Sequence, residues 1–136
     1  RTSCSGWIGR TSDGINWTKE EARQVIADKL GRNESQALPT VIEIEDQYHM
    51  FFCYRESFDF RTNSVRGYRI GHAYSTDLVS WSRDDEHPSI DVTPGDWDSD
   101  MLCYPHVFRC DNKIYLLYNG NEFGRFGFGL AVLESS

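Results

Sequence analysis

The sequence predicts an all-β chain assembled from four-stranded repeats, on three observations. The first is self-similarity: Pro39-Thr-Val-Ile, Met50-Phe-Phe-Cys-Tyr54 and Tyr68 to Trp81 return as Pro105-His-Val-Phe, Ile114-Tyr-Leu-Leu-Tyr118 and Gly127 to Ser135, with 66 residues from Pro39 to Pro105. Trp7 to Trp17 repeats Ile70 to Trp81 with two residues missing, and Asp13/Trp17 share the four-residue step of Asp77/Trp81. A fixed period of this kind marks units that bury their apolar faces against one another. The second observation is that the segments between turn signals are short and rich in β-branched and aromatic residues, as strands are. The third is the scarcity of helix. Lys19 to Leu30 alone carries helix signals, with Thr18 as cap, Glu20 and Glu21 at one end and Lys29 at the other. Its counterpart in the next repeat, Asp84 to Gly95, contains Pro88 and Pro94, so Lys19 to Leu30 is read as half strand and half turn.

In chain order, residues 1–30 close one repeat, 37–92 form a complete one and 97–136 most of a further one, within a single domain. The complete repeat has strands at Leu38 to Ile44, Tyr48 to Arg55 and Tyr68 to Tyr74, and a short fourth around Trp81 to Arg83. Glu45-Asp46-Gln47 is a tight hairpin turn. The long polar segment Glu56 to Gly67, carrying Phe58, Phe60, Arg61 and Arg66, reads as a functional loop, since insertions of this length are commonly binding loops or lids. Ser-Thr-Asp-Leu and Ser-Asp-Gly-Ile join third to fourth strands as turns.

A chain of 136 residues suits one domain and buries roughly two thirds of its unfolded surface. Net charge −7 and a pI near 5.0 argue against nucleic acid and anionic membrane as main partners. Aromatic residues make up 14% of the chain, which serves packed strands and sugar stacking alike. Cys4, Cys53, Cys103 and Cys110 form no Cys-x-x-Cys pair and read as structural thiols rather than a disulfide or zinc site, which favours a reducing cytoplasm. No apolar run reaches the roughly 18 residues of a membrane span. No signal peptide is visible, although a chain beginning inside a repeat without an initiator Met need not display one. Neither the histidine spacing nor Gly124, Gly127 and Gly129, which lie in a β repeat without a following helix, supports a metal or a nucleotide, and no cofactor is expected.

The strings Ile70 to Trp81, Trp97-Asp-Ser-Asp-Met-Leu-Cys-Tyr-Pro-His-Val-Phe108 and Tyr118-Asn-Gly-Asn to Val132 resemble blades of the five-bladed β-propeller glycosidase-like proteins, the group of arabinanases, β-xylosidases and invertase-like enzymes. They are most similar to bacterial members without an assigned activity. The resemblance covers nearly the whole chain and the C-terminal half of a family member. It implies a partial β-propeller of about two and a half four-stranded blades, carbohydrate as ligand, and a central channel lined by first strands. There, three carboxylates from successive blades act as base, pKa-tuning acid and proton donor, the base coming from the first blade.

At the two channel positions of this chain the residues before the blade's proline are Ala37-Leu38 and Cys103-Tyr104 rather than Asp or Glu. The nearest carboxylates are Glu34 and Asp100, the catalytic candidates if they reach the channel, against a reading in which both sit in solvated turns. Arg55, Tyr104, His106, Asn119, Asn121 and Arg125 cluster at strand ends and suit hydroxyl recognition, with an internal ion pair as the alternative for Arg55. His72 reads as packing. Open strand edges need covering, so a second copy, most simply as a homodimer of two half rings, is expected to complete the propeller. Two readings stay open: a glycoside hydrolase-type enzyme whose catalytic set is incomplete in one chain, and a non-catalytic carbohydrate-binding or structural oligomeric module, or a truncated product without activity.

Overall fold

The computed structural model describes residues 9–19, 24–86 and 90–134. Its strands are β1 (Gly9–Arg10), β2 (Thr18–Lys19), β3 (Glu34–Ile44), β4 (Gln47–Glu56), β5 (Arg69–Ser75), β6 (Ser82–Arg83), β7 (Cys103–Cys110), β8 (Lys113–Asn119) and β9 (Phe128–Leu133). They form three antiparallel meanders, β1-β2, β3-β4-β5-β6 and β7-β8-β9. Cys4, Trp7, Glu20, Glu21, His87, Pro88 and Ser135 lie outside the described residues.

Two-residue turns fold the first hairpins of the larger sheets. Glu45 and Asp46 adopt φ of 50° and 62°, and Asp111 and Asn112 adopt 47° and 62°. Positive φ at both central positions gives the turn whose twist matches that of the strands. Between third and fourth strands the motif Ser-x-Asp-x-x-x-Trp is a hydrogen-bonded turn. Asp77 Oδ1 accepts from the N–H groups of Val79 (2.8 Å) and Ser80 (2.7 Å), while Ser75 Oγ accepts from Leu78 N–H at 2.9 Å. Thr11 and Asp13 repeat the pattern, with Ile15 N–H and Asn16 N–H on Asp13 Oδ1 at 2.9 and 2.8 Å. The repeated Asp is thus a turn former, satisfying backbone donors that the chain reversal would strand.

Both faces of β4 are covered, and its alternation divides them. Phe52 and Tyr54 pack with Ile26, Ala73, Met50 and Trp81. Cys53 packs with Met101 and Cys103, and Phe51 joins Ile42 and Ile44 against Val107, Ile114 and Leu116 of the next sheet. Three polar contacts set the spacing between these sheets: Val107 N–H to Thr40 Oγ1 (3.2 Å), Arg109 Nη2 to the Glu43 carbonyl (2.9 Å) and Tyr104 N–H to Cys53 Sγ (3.0 Å). An aromatic ring lies over a glycine of the neighbouring strand in each of the two larger sheets. Phe52 opposes Gly71 and Tyr118 opposes Gly129, and a β-carbon on Gly71 would stand 2.5 Å from Phe52 Cζ. The outer strand β9 leaves Phe128, Leu130, Val132 and Leu133 exposed.

The first strands carry a matched irregularity. Pairing of β3 with β4 slips between Ala37 and Thr40, and that of β7 with β8 between Cys103 and His106. Leu38 and Tyr104, at the slips, have φ of 52° and 57°. A left-handed backbone costs a non-glycine residue roughly 1–2 kcal/mol, so each bulge is held by the ladder on either side. The first strand also begins earlier than Leu38, because Glu34 is anchored at its start.

Candidate functional site

Glu34 is locked into the scaffold. Its side chain is fully buried and accepts from Arg83 Nη1 at 2.6 Å, Gln36 Nε2 at 2.8 Å and the N–H groups of Lys29 and Leu30 at 2.7 and 2.8 Å. Arg83 also donates from Nε to Asp85 Oδ2 at 2.9 Å, and Asp85 receives Lys29 Nζ at 3.6 Å. Burial raises the Glu34 carboxyl; the N–H of Leu30, Arg83, Gln36 and the N–H of Lys29 lower it by more, so it lies below its ordinary value. With both oxygens engaged and the charged form favoured, Glu34 has no proton to deliver and no lone pair for a substrate. This corrects the solvated-turn expectation: Glu34 is the anchor of a buried ion cluster. A cleft of ≈ 390 Å³ beside it is lined by Lys29, Tyr54, Arg69, Asp85 and Asp91 among others. Its charges are already used, Lys29 with Asp85 and Arg69 with Asp91 at 3.3 Å.

Asp100 has the opposite setting. Its side chain is exposed, while its N–H donates to Asn121 Oδ1 at 2.7 Å and its carbonyl accepts from Arg69 Nη1 at 3.0 Å. Asn121 is the clamp of this loop: Oδ1 also accepts from Met101 N–H at 3.2 Å, Nδ2 reaches Ser99 Oγ at 3.1 Å, and its own N–H meets the Trp97 carbonyl at 3.0 Å. The amide holds the loop from Trp97 to Met101. Trp97 stacks on Tyr118 with centroids 5.8 Å apart, above Gly120, where a β-carbon would collide with the indole. Asp98 is buried, and its charge together with burial pushes the Tyr118 hydroxyl upward, burial being the larger cause.

Around Tyr104 the second half of the site assembles. Tyr104 stacks on Phe123 at 5.9 Å and tilts against Tyr68 at 6.5 Å; Tyr68 meets Phe123 edge-on at 5.9 Å and Phe60 at 5.7 Å. These rings come from β7, from the residue just before β5, from the loop after β4 and from the turn Asn121–Gly124, where Glu122 and Phe123 have φ of 51° and 60°. Two guanidinium groups flank Phe60: Arg55 at 3.7 Å and Arg61 at 5.3 Å from its centroid. Arg61 also lies 5.7 Å from the Phe123 ring. The ion pair expected of Arg55 is replaced by a hydrogen bond from Nη1 to the Glu56 backbone carbonyl at 2.9 Å. Burial raises the Tyr104 hydroxyl, with neighbouring Cys103 adding to it.

The remaining candidates lie apart. His106 is exposed and stacks on Phe108 at 5.9 Å, outside the ring cluster. Asn119 Nδ2 donates to the Phe123 carbonyl at 3.2 Å and so supports the turn. Arg125 is exposed and paired with Glu122 at 2.7 Å. Sequence matching aligned Arg55 with Asn119 at the ends of the second strands. The registers pair Ala37 with Cys53 and Cys103 with Asn119, so Asn119 stands where Cys53 does and Asn121 where Arg55 does. Tyr68 and Phe123 were missed; the visible signal was an aromatic at each edge of a long polar loop. His72, read as packing, is buried but also hydrogen-bonded, its Nε2 3.0 Å from His49 Nδ1.

No family model matches the chain. Two curated Mycobacterium tuberculosis proteins, the uncharacterised proteins MT1551 (strain CDC 1551 / Oshkosh) and Rv1502 (strain ATCC 25618 / H37Rv), are each 39% identical over 127 residues, which is 93% of this chain and 39% of theirs. The chain spans about two fifths of the length of these relatives. Among solved structures it superposes on a glycoside hydrolase (TM-score 0.69, 20% identity, 96% of this chain and 36% of the other). It also superposes on a Bombyx mori GH32 β-fructofuranosidase in complex with sucrose (0.65, 18%, 96% and 27%). A third likeness is to Zg3597, a family 117 glycoside hydrolase of Zobellia galactanivorans (0.58, 14%, 76% and 36%). The fold is a partial β-propeller. The chain shares this architecture with the glycoside hydrolases it superposes on, and β3 and β7 begin its two larger sheets.

Proposed function

We propose that this chain carries part of the sugar-binding face of a glycosidase-like propeller. The observation that supports it is the convergence of Phe60, Tyr68, Tyr104 and Phe123, from four separate segments, with Arg55 and Arg61 against them. Aromatic faces pack on the apolar face of a sugar ring, while guanidinium donors meet its hydroxyl oxygens. Hydrolysis of a glycosidic bond needs two carboxyl groups, one to protonate the leaving oxygen and one to activate water or attack. Asp100 is the carboxylate offered at this rim: exposed, and borne on a loop that Asn121 and Arg69 fix through the backbone. In this reading its partner comes from another blade, so sugar binding by this chain and hydrolysis by the complete propeller are separable parts of the proposal. The exposed apolar row of β9 supports cover by a neighbouring blade, and a second copy of the chain is the supplier we propose. A native mass of one chain would overturn that part.

Saturation-transfer NMR with a panel of pentoses and hexoses tests binding. Transfer is expected for the wild type and is lost in Tyr104→Ala and Phe123→Ala, each of which should still unfold cooperatively. Binding that survives both substitutions would refute the site. Hydrolysis of nitrophenyl glycosides between pH 4 and 8 tests chemistry, and turnover unchanged by Asp100→Asn would remove Asp100 from the mechanism.

A further inference from the structure

Resting on the sugar-binding reading, we propose that the sugar held at this face is acidic, a glycan unit bearing a carboxylate or sulfate whose charge is taken up by Arg55 and Arg61. Four described arginines, Arg32, Arg55, Arg61 and Arg109, pair with no carboxylate; Arg109 is spent on the Glu43 carbonyl, and of the four only Arg55 and Arg61 lie against the ring cluster. Arg66 pairs with Asp59, Arg69 with Asp91, Arg83 with Glu34 and Asp85, and Arg125 with Glu122. Among the described residues Arg55 and Arg61 have no carboxylate within ion-pair distance. Arg55 donates only to the Glu56 carbonyl, and its Nε is buried without a protein acceptor. Arg61 is exposed and touches only the rings of Phe60 and Phe123.

Two like charges against one ring repel each other, and the ring quadrupole offsets part of that cost. An anion that meets either guanidinium offsets more, and the planar group matches a carboxylate in a two-bond fork. The acids nearest in sequence leave the position open. Asp59 is committed to Arg66, and Glu56 meets Arg55 through its main chain. Tyr104 and Phe123 supply the stacking wall that a bare anion would not need, so charge and ring are recognised together.

Chemical-shift titration of the full chain with galacturonate and glucuronate, against galactose and glucose at equal concentration, tests this. Glucose 6-sulfate serves as the sulfate arm and acetate as the charge-only control. Acidic sugars, by carboxylate or sulfate, are expected to bind about tenfold tighter than the neutral parents, the size of one charge-assisted contact. The advantage of acidic over neutral sugars should vanish in Arg61→Gln, an exposed position, and shrink as salt is raised. Equal binding of acidic and neutral sugars overturns the inference and leaves the sugar-binding reading standing. Shifts from none of the sugars overturn both. Acetate binding as tightly as galacturonate overturns the inference in favour of a simple anion site.

Discussion

Replacing Glu34 by alanine removes the acceptor of four hydrogen bonds, 2.6 to 2.8 Å long, from a fully buried position. Arg83 then keeps Asp85 as its only acid, and the N–H groups of Lys29 and Leu30 lose their acceptor. Breaking a buried ion pair by deleting one partner costs about 3–5 kcal/mol, against the roughly 5–15 kcal/mol that holds a domain together. Urea unfolding followed by tryptophan fluorescence at pH 7 should show a loss of that size for Glu34→Ala. Glu34→Gln, which keeps shape but not charge, should lose less. The pH dependence has a definite sign. Because the folded carboxyl lies below its ordinary value of 4.5, its contribution is present above that value and is lost as pH falls through the folded pKa. The gap between wild type and Glu34→Gln should therefore close in acid. Stability of Glu34→Ala within about 0.5 kcal/mol of wild type, the range of ordinary surface changes, would refute the anchoring argument.

Three further outcomes are expected. The Asp77 carboxyl, held down chiefly by the N–H groups of Ser80 and Val79, should titrate at about 2 by NMR, and the turn it caps should persist until pH falls through that value. Gly71→Ala drives a β-carbon into Phe52 and should lower the free energy of unfolding, read from urea denaturation, by about 1–3 kcal/mol, the usual cost of overpacking. Burial pushes the Cys53 and Cys103 thiols up to about 12 and about 11, so an alkylating reagent at pH 8 should label exposed Cys110 on the native chain and reach those two only after unfolding.

Much of the scaffold was legible because its causes are local. The Glu45-Asp46 reversal and the Ser-x-Asp-x-x-x-Trp turn both draw on partners a few residues away. The site was legible only where a local signal pointed to it, as the long loop carrying Phe60 and Arg61 did. The burial of Glu34 was not legible because its partner Arg83 is 49 residues distant. The bulges at Leu38 and Tyr104 escaped because neither residue type favours positive φ; the ladders on either side impose it. Counting from the ends of the second strands aligned Arg55 with Asn119, whereas hydrogen-bond register aligns it with Asn121.

That register has a consequence for how a repeat protein acquires specificity. One position, two residues past Cys53 in one blade and two past Asn119 in the next, is filled by a cation on one side and by an amide on the other. In the later blade the amide is spent bracing its own loop, so the position there is closed to change. In the earlier blade bracing falls to Arg69 and the Glu34 cluster, and Arg55 is released from that duty. Duplicate architecture thus lets one copy bear the mechanical task while its twin is free to diverge, and new ligand preferences should arise first at the unburdened copy.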